Sequence, residues 1–215
     1  MNLKYLQRTS RKEYKKLEKE KPKHFDNLSC SSLLPLCIDL DGTLIQTDVL
    51  SESLLIYVKK FPWRIFHIVW WLCQGRAMLK KKIADDIDLD ISLMPVNQKM
   101  VDLILNYKAQ GHQIYLVTAA AQKYGEAAAA YFGFFDDVLT SDSHTNLRST
   151  NKANALIQRF GERHYIYAGN SVHDLAVWRH AAEIIAVNTP ARVLKKAAAL
   201  GKPMTILQER PKTEK

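Results

Sequence analysis

Short apolar runs alternate with helix-period stretches along most of this chain, and that alternation restricts the fold more than any other feature. Five runs read as strands, at 36–40, 113–118, 137–140, 165–168 and 184–187. Helix-period segments separate or follow them at 97–109, 122–132, 151–160, 172–181 and 191–200. Gly111, Gly133, Gly161 and Gly201 stand just past several of these segments, where a residue free to take left-handed backbone ends a helix. Strands separated by helices are the pattern of βα units. The predicted class is therefore α/β, a Rossmann-like doubly wound parallel sheet.

One region breaks this rhythm. Between the first and second strands, about 70 residues hold only helical patterns. A connection of that length inside a compact domain is an inserted element rather than a loop. Residues 50–93 are accordingly expected to form a small helical cap over the sheet edge, inserted after the first strand. The core domain would then comprise 29–49 and 94–208, with 1–28 a basic helix or tail and 209–215 a C-terminal tail. No internal repeat or low-complexity stretch is visible.

Composition excludes several classes. With 215 residues, 47% hydrophobic and 25% charged, the chain is long and apolar enough for a medium globular domain and is not disordered, collagen-like or a disulfide-stapled miniprotein. The net charge of +9 is unevenly placed. Residues 1–28 carry +5 and residues 59–82 carry +7 with no acid, so two basic patches sit on a mildly acidic body. Cys30, Cys37 and Cys73 have neither CxxC spacing nor neighbouring histidine pairs, which argues for a reduced chain without a zinc site. The N-terminus lacks the apolar run of a signal peptide, so a cytoplasmic location is expected. The most apolar stretch, 54–73, is broken by Lys59, Lys60, Pro62, Arg64 and His67 and falls short of a membrane span.

The residues that carry chemistry cluster at predicted strand ends. LCIDLDGTL, at 36–44, puts Asp39 and Asp41 at the C-terminal end of the first strand, where α/β sheets build their sites. Residues two apart on an extended chain point the same way, so both carboxylates can converge on a metal or a phosphate, one as nucleophile and the other as acid. Gly42 and Thr43 then allow a sharp turn. The plainer alternative is a strand-end turn in which the two aspartates only cap backbone groups. Thr118 ends the second strand, where its hydroxyl and the amides from Ala119 onward can hold phosphate oxygens, or merely cap a helix. Lys152 opens a helix and either neutralises a phosphoryl group or lies in solvent. Gly169, Asn170 and Asp174 follow the fourth strand, as oxygen ligands suited to Mg2+ or as a turn and helix cap.

Together and in this order, DxDGT, a strand-end Thr, a Lys and GNSxxxD resemble the four motifs of the haloacid dehalogenase superfamily of phosphohydrolases, over about residues 33–190. The resemblance implies Asp39 as nucleophile and Asp41 as general acid/base. It implies Gly42, Thr43, Thr118, Ala119 and Lys152 around the phosphate, and Mg2+ held by Asp39, Asp41 through its backbone carbonyl, Asn170 and Asp174. The second aspartate of DxD fits the phosphatase branches, not the dehalogenases. Asn170 stands where many members have Asp, which removes one negative charge from the metal site.

More narrowly, CIDLDGTLIQTDVLSESLL, FPWRIFHIVWWLCQGRAMLKKKIA, DIDLDISLMPVN, SDSHTNL and AGNSVHDLAVW are similar to the phosphatase-like domain at the N-terminus of bacterial UbiA-family prenyltransferase fusions. No polytopic segment follows ERPKTEK, so a free-standing or split relative is expected. The expected activity is Mg2+-dependent hydrolysis of a small phosphomonoester, free or lipid-linked, through an aspartyl-phosphate. The alternatives are a non-catalytic domain docking to a membrane prenyltransferase, and a phosphotransferase. In 57–82, aromatics interleave with Lys and Arg. Such a segment either packs a cap onto the core or contacts an anionic membrane peripherally. No RNP or helix-turn-helix pattern accompanies it, which disfavours nucleic acid.

Overall fold

The computed structural model describes residues 33–141 and 146–208. The basic segment 1–28, the C-terminal tail 209–215 and Cys30 lie outside the described residues. Within them, six strands form one parallel sheet in the order β3-β2-β1-β4-β5-β6. The strands are β1 (Leu36–Ile38), β2 (Ile114–Ala121), β3 (Asp137–Ser141), β4 (Ile166–Gly169), β5 (Glu183–Val187) and β6 (Met204–Leu207). β1 is central, with Leu36 paired to Ile114 on one side and to Ile166 on the other. The strand order reverses there, which opens a crevice beyond the C-terminal ends of β1 and β4.

Alternation along β1 divides the core between the two faces of the sheet. Leu36 and Ile38 pack with Met100, Ile104, Leu116 and Ala128 on one face, under α4 (Gln98–Ala109) and α5 (Gln122–Phe132). Cys37 packs with Tyr115, Val117, Leu156 and Trp178 on the other, under α6 (Thr150–Phe160) and α7 (Leu175–Trp178). The helix α8 (Ala191–Ala198) joins that second face through Val193 and Ala197. Cys37 and Cys73 are both free thiols.

The strand-free stretch after β1 is helical. It folds into α1 (Val49–Lys60), α2 (Ile65–Cys73) and α3 (Arg76–Asp86), with short 3-10 turns at Pro62–Arg64 and Ile91–Leu93. Asp48 caps α1 by accepting from the Ser51 amide. The insert has a small apolar core of its own, built from Tyr57, Trp71, Leu79, Ile83 and Ile87. It is fastened to α5, where Tyr124 donates its hydroxyl to the Ile87 carbonyl at 3.0 Å and Lys123 donates to the Ala84 carbonyl at 2.7 Å.

Three elements differ from the sequence expectation. β6 was not expected, because a four-residue strand after Gly201 has too few residues to show a period. The helix expected at 172–181 is a 3-10 turn, Val172–Asp174, followed by the single-turn α7. β2 does not stop at residue 118 but continues to Ala121 through an irregularity between Val117 and Ala121.

Candidate active site

β1 ends at Ile38, and the chain carries Asp39 and Asp41 directly into the crevice. The Asp39 amide still donates to the Ala168 carbonyl of β4 at 3.0 Å, so Asp39 remains in register with the sheet. The amides of Thr43, Leu44 and Ile45 then all turn back onto the Leu40 carbonyl. Gly42 makes the turn with φ +72°, and a Cβ there would lie 2.0 Å from the Asn170 Nδ2. Glycine therefore lets the loops after β1 and β4 close on each other.

Asp41 Oδ1 accepts from the Val49 amide at 2.8 Å, which ties this carboxyl to the first turn of α1. Burial, and after it the charge of Asp39, pushes Asp41 up to about 7. Lys152 is only 4% exposed, so it is not a solvated surface lysine. Its Nζ donates to Asp39 Oδ1 at 2.7 Å and to the Tyr167 phenol oxygen at 2.8 Å. Burial raises the Asp39 pKa to about 6, against the opposing pull of the Lys152 ammonium. Tyr167 in turn donates to Asp174 Oδ1 at 3.0 Å. Asp174 Oδ2 accepts from the amides of Asn170 and Ser171 and from the Ser171 hydroxyl, at 2.9–3.1 Å. The capping and site readings of GNSxxxD thus coexist, since the same carboxylate closes a capping box and shapes the loop that presents Asn170.

Asp39, Asp41, Gly42, Ala119, Lys152, Asn170 and Asp174 all line one cavity of about 550 Å3 at the sheet's C-terminal edge. Thr43 and Thr118 do not line it, and both are fully buried. Because β2 runs on past residue 118, Thr118 is inside the strand rather than at a helix start, and its Oγ1 folds back to accept from the Ala120 amide at 3.0 Å. Ala119, Ala120 and Ala121 line the cavity at this edge instead. The Thr43 Oγ1 is buried with no hydrogen-bond partner among the described residues.

Sequence reasoning missed Tyr167 and Lys80. Tyr167 lies in YIYA and reads there as core packing. Lys80, on α3, reaches across to donate to the Ala119 carbonyl at 2.5 Å and to Asn146 Oδ1 at 3.3 Å. Arg76 and Arg148 complete the cationic side of the cavity, and His173, whose pKa burial lowers, sets its Nε2 2.5 Å from Arg148 Nη2. Only the basic character of 59–82 hinted at Lys80 and Arg76.

The donors suit a hard cation. Among the described residues no three His, Cys, Asp or Glu side chains form a closed metal cage. Mg2+ does not require one, because it keeps several waters and takes one or two carboxylates plus substrate oxygen. The carboxylates of Asp39, Asp41 and Asp174 gather here, yet among the described residues Lys152 alone forms an ion pair with any of them. The all-oxygen donor set of Asp39, the Asp41 carbonyl and Asn170 at one end of the cavity fits a divalent ion. Asp174 has both oxygens occupied and acts here on the shape of the loop.

No protein-family model matches the chain. A curated relative from Sinorhizobium fredii, called uncharacterized protein y4nM, is 33% identical over 168 residues, which is 78% of this chain and 32% of the relative. The chain thus spans about a third of the length of that relative. Among solved structures, a Bordetella pertussis protein of unknown function superposes with a TM-score of 0.59 at 16% identity, covering 79% of this chain and 96% of that one. Phosphoserine phosphatase in its apo form gives 0.56 at 13% identity, over 82% of this chain and 94% of that one. A phospho-aspartyl intermediate analogue of phosphoserine phosphatase gives 0.54 at 14% identity, over 82% and 94%. The chain has the haloacid dehalogenase fold that these phosphatases share.

Proposed function

We propose that the chain is a Mg2+-dependent phosphomonoester hydrolase that works through an aspartyl-phosphate on Asp39. The observation that carries this reading is the pairing of two differently held carboxylates at one strand end. Asp39 is fixed by an ammonium, and Asp41, two residues on, is pushed up to about 7. Both carboxyls are raised by burial, and their contacts distinguish them: an ammonium holds Asp39 for nucleophilic attack, and a backbone amide holds Asp41, the more raised of the two, for proton transfer.

Lys152 holds Asp39 Oδ1 and leaves Oδ2 to attack phosphorus in line. As the P–O bond to the leaving group breaks, protonated Asp41 gives its proton to the departing alkoxide, and the alcohol leaves. Asp41, now a carboxylate, takes a proton from water as that water attacks the phosphoaspartate. Inorganic phosphate departs, and Asp39 and protonated Asp41 are restored. Lys152, beside the nucleophile, faces the equatorial oxygens, where most of the stabilisation in phosphoryl transfer resides. Mg2+, held by Asp39, the Asp41 carbonyl and Asn170, would supply further charge neutralisation for the phosphoryl oxygens. The sequence resemblance to the domain of prenyltransferase fusions directs the substrate towards a lipid-linked phosphate.

Phosphate release from an aryl phosphate, acetyl phosphate and a panel of phosphomonoesters, with and without Mg2+, tests the reading. Metal-dependent turnover in the wild type that vanishes in a folded Asp39→Asn chain is the expected result. Absence of release from every compound by folded wild-type protein overturns it.

A further inference from the structure

The helical insert presents an apolar face that no other described residue covers. In α2, Trp71 is the single buried residue. Phe66 is 78% exposed, Trp70 66% and Val69 62%, and Trp63 in the preceding turn is 72% exposed. Ile65 and Leu72 are about half exposed. Trp71 anchors the helix inward against Tyr57, with ring centroids 5.6 Å apart, and its neighbours face solvent. A contiguous patch of large apolar side chains on a polar-surfaced protein marks a binding surface.

The charge around the patch identifies what binds. Residues 59–82 contain seven Lys or Arg and no Asp or Glu. Lys59, Lys60, Arg76, Lys81 and Lys82 are all exposed. Within that stretch, only Arg64 is paired with an acid among the described residues, at 3.3 Å from Asp86. Tryptophans and a phenylalanine bordered by unpaired cations match an anionic lipid surface, with the rings at headgroup level and the cations against negative headgroups. Among the described residues no helix is long and apolar enough to cross a membrane, so the nine-residue α2 fits the interface plane and not the bilayer interior.

We propose that the α2 face docks the protein on an anionic lipid bilayer. The face is continuous with the cavity, because Leu72 and Arg76 are exposed and also line it. Docking therefore turns the cavity mouth towards the headgroup layer. Combined with the phosphatase reading, on which this step rests, it follows that the hydrolysed phosphate is borne by a lipid and enters from the membrane side.

The test uses the full chain with phosphatidylcholine vesicles containing phosphatidylglycerol and with pure phosphatidylcholine vesicles. Co-sedimentation gives the partition coefficient, and quenching by brominated lipid reports insertion of Trp63 and Trp70, since Trp71 and Trp178 are buried. The expected result is binding to the anionic vesicles that weakens with salt and is accompanied by quenching. Phe66→Glu lowers partitioning at least about tenfold, the cost of losing one buried aromatic. Lys81→Glu with Lys82→Glu weakens binding to anionic vesicles, with little change in the residual affinity for neutral ones. Phe66→Glu retains wild-type hydrolysis of aryl phosphate, which shows that the fold is intact. Vesicle binding unaffected by Phe66→Glu, binding without quenching, or no binding at low salt overturns the proposal. So does a stable dimer in solution that Phe66→Glu dissociates, which would make the face an interface between copies. Wild-type protein that docks but hydrolyses nothing refutes the phosphatase reading and leaves the docking surface standing.

Discussion

Lys152 Nζ donates to the phenol oxygen of Tyr167 at 2.8 Å, and this contact joins the Asp39 end of the cavity to the loop after β4. The ammonium is held from two sides, by Asp39 and by a phenol that donates its own hydrogen bond to Asp174. Tyr167→Phe keeps the ring and removes the link. Hydrogen bonds to charged groups contribute about 1.5–3 kcal/mol, so kcat is expected to fall about 10- to 100-fold while KM for a simple aryl phosphate changes little. Steady-state kinetics on folded protein check the split. A change in KM alone would show that Tyr167 only packs the core.

Asn170→Asp is expected to lower the half-saturating Mg2+ concentration severalfold. Asn170 is half-buried and its amide lies against Gly42, so an aspartate fits the same space and adds a full charge to the donor set. Ligand charge count is what tunes affinity for hard cations. Activity titrated against Mg2+ provides the measurement, and an unchanged midpoint would remove Asn170 from the ligand set.

Much of this was legible in the sequence because the residues concerned are local to strand ends. Asp39, Asp41 and the GNSxxxD loop are placed by β1 and β4, short apolar runs whose ends are marked by glycine. Thr118 was misplaced because TAAAQ contains no turn residue, and the irregularity that carries β2 on to Ala121 depends on its pairing with Ser141. Tyr167 and Lys80 escaped for a different reason. Their roles come from tertiary contacts with partners 15 and 39 residues away, which neither period nor propensity records.

Gly169→Ala is expected to loosen the loop after β4. A Cβ at Gly169 would lie 2.6 Å from Asp174 Cγ and 2.9 Å from its Cβ, so the carboxylate that gathers Tyr167, Asn170 and Ser171 must shift. Overpacking of this kind costs about 1–3 kcal/mol, and each kcal/mol lowers Tm by about 2–4 °C in a chain of this size. Thermal unfolding measures the loss, and the Mg2+ requirement for activity should rise with it. A variant with wild-type Tm would mean that Asp174 relaxes at no cost.

Lys80→Met separates two effects that oppose each other. Lys80 pins α3 to the β2 edge through the Ala119 carbonyl, so its removal should free the insert and raise KM. Burial, however, lowers the Lys80 pKa from its ordinary 10.5, so below that pH folding works against keeping this ammonium charged. Met retains the stem and removes that cost. Global stability is therefore expected to hold or rise while the insert loosens locally. Hydrogen exchange should quicken in α3 and stay unchanged in β1 and β4, with Tm at or above wild type. A lower Tm together with slow exchange in α3 would show that the Lys80 contact holds up the core and does not govern access to the cavity.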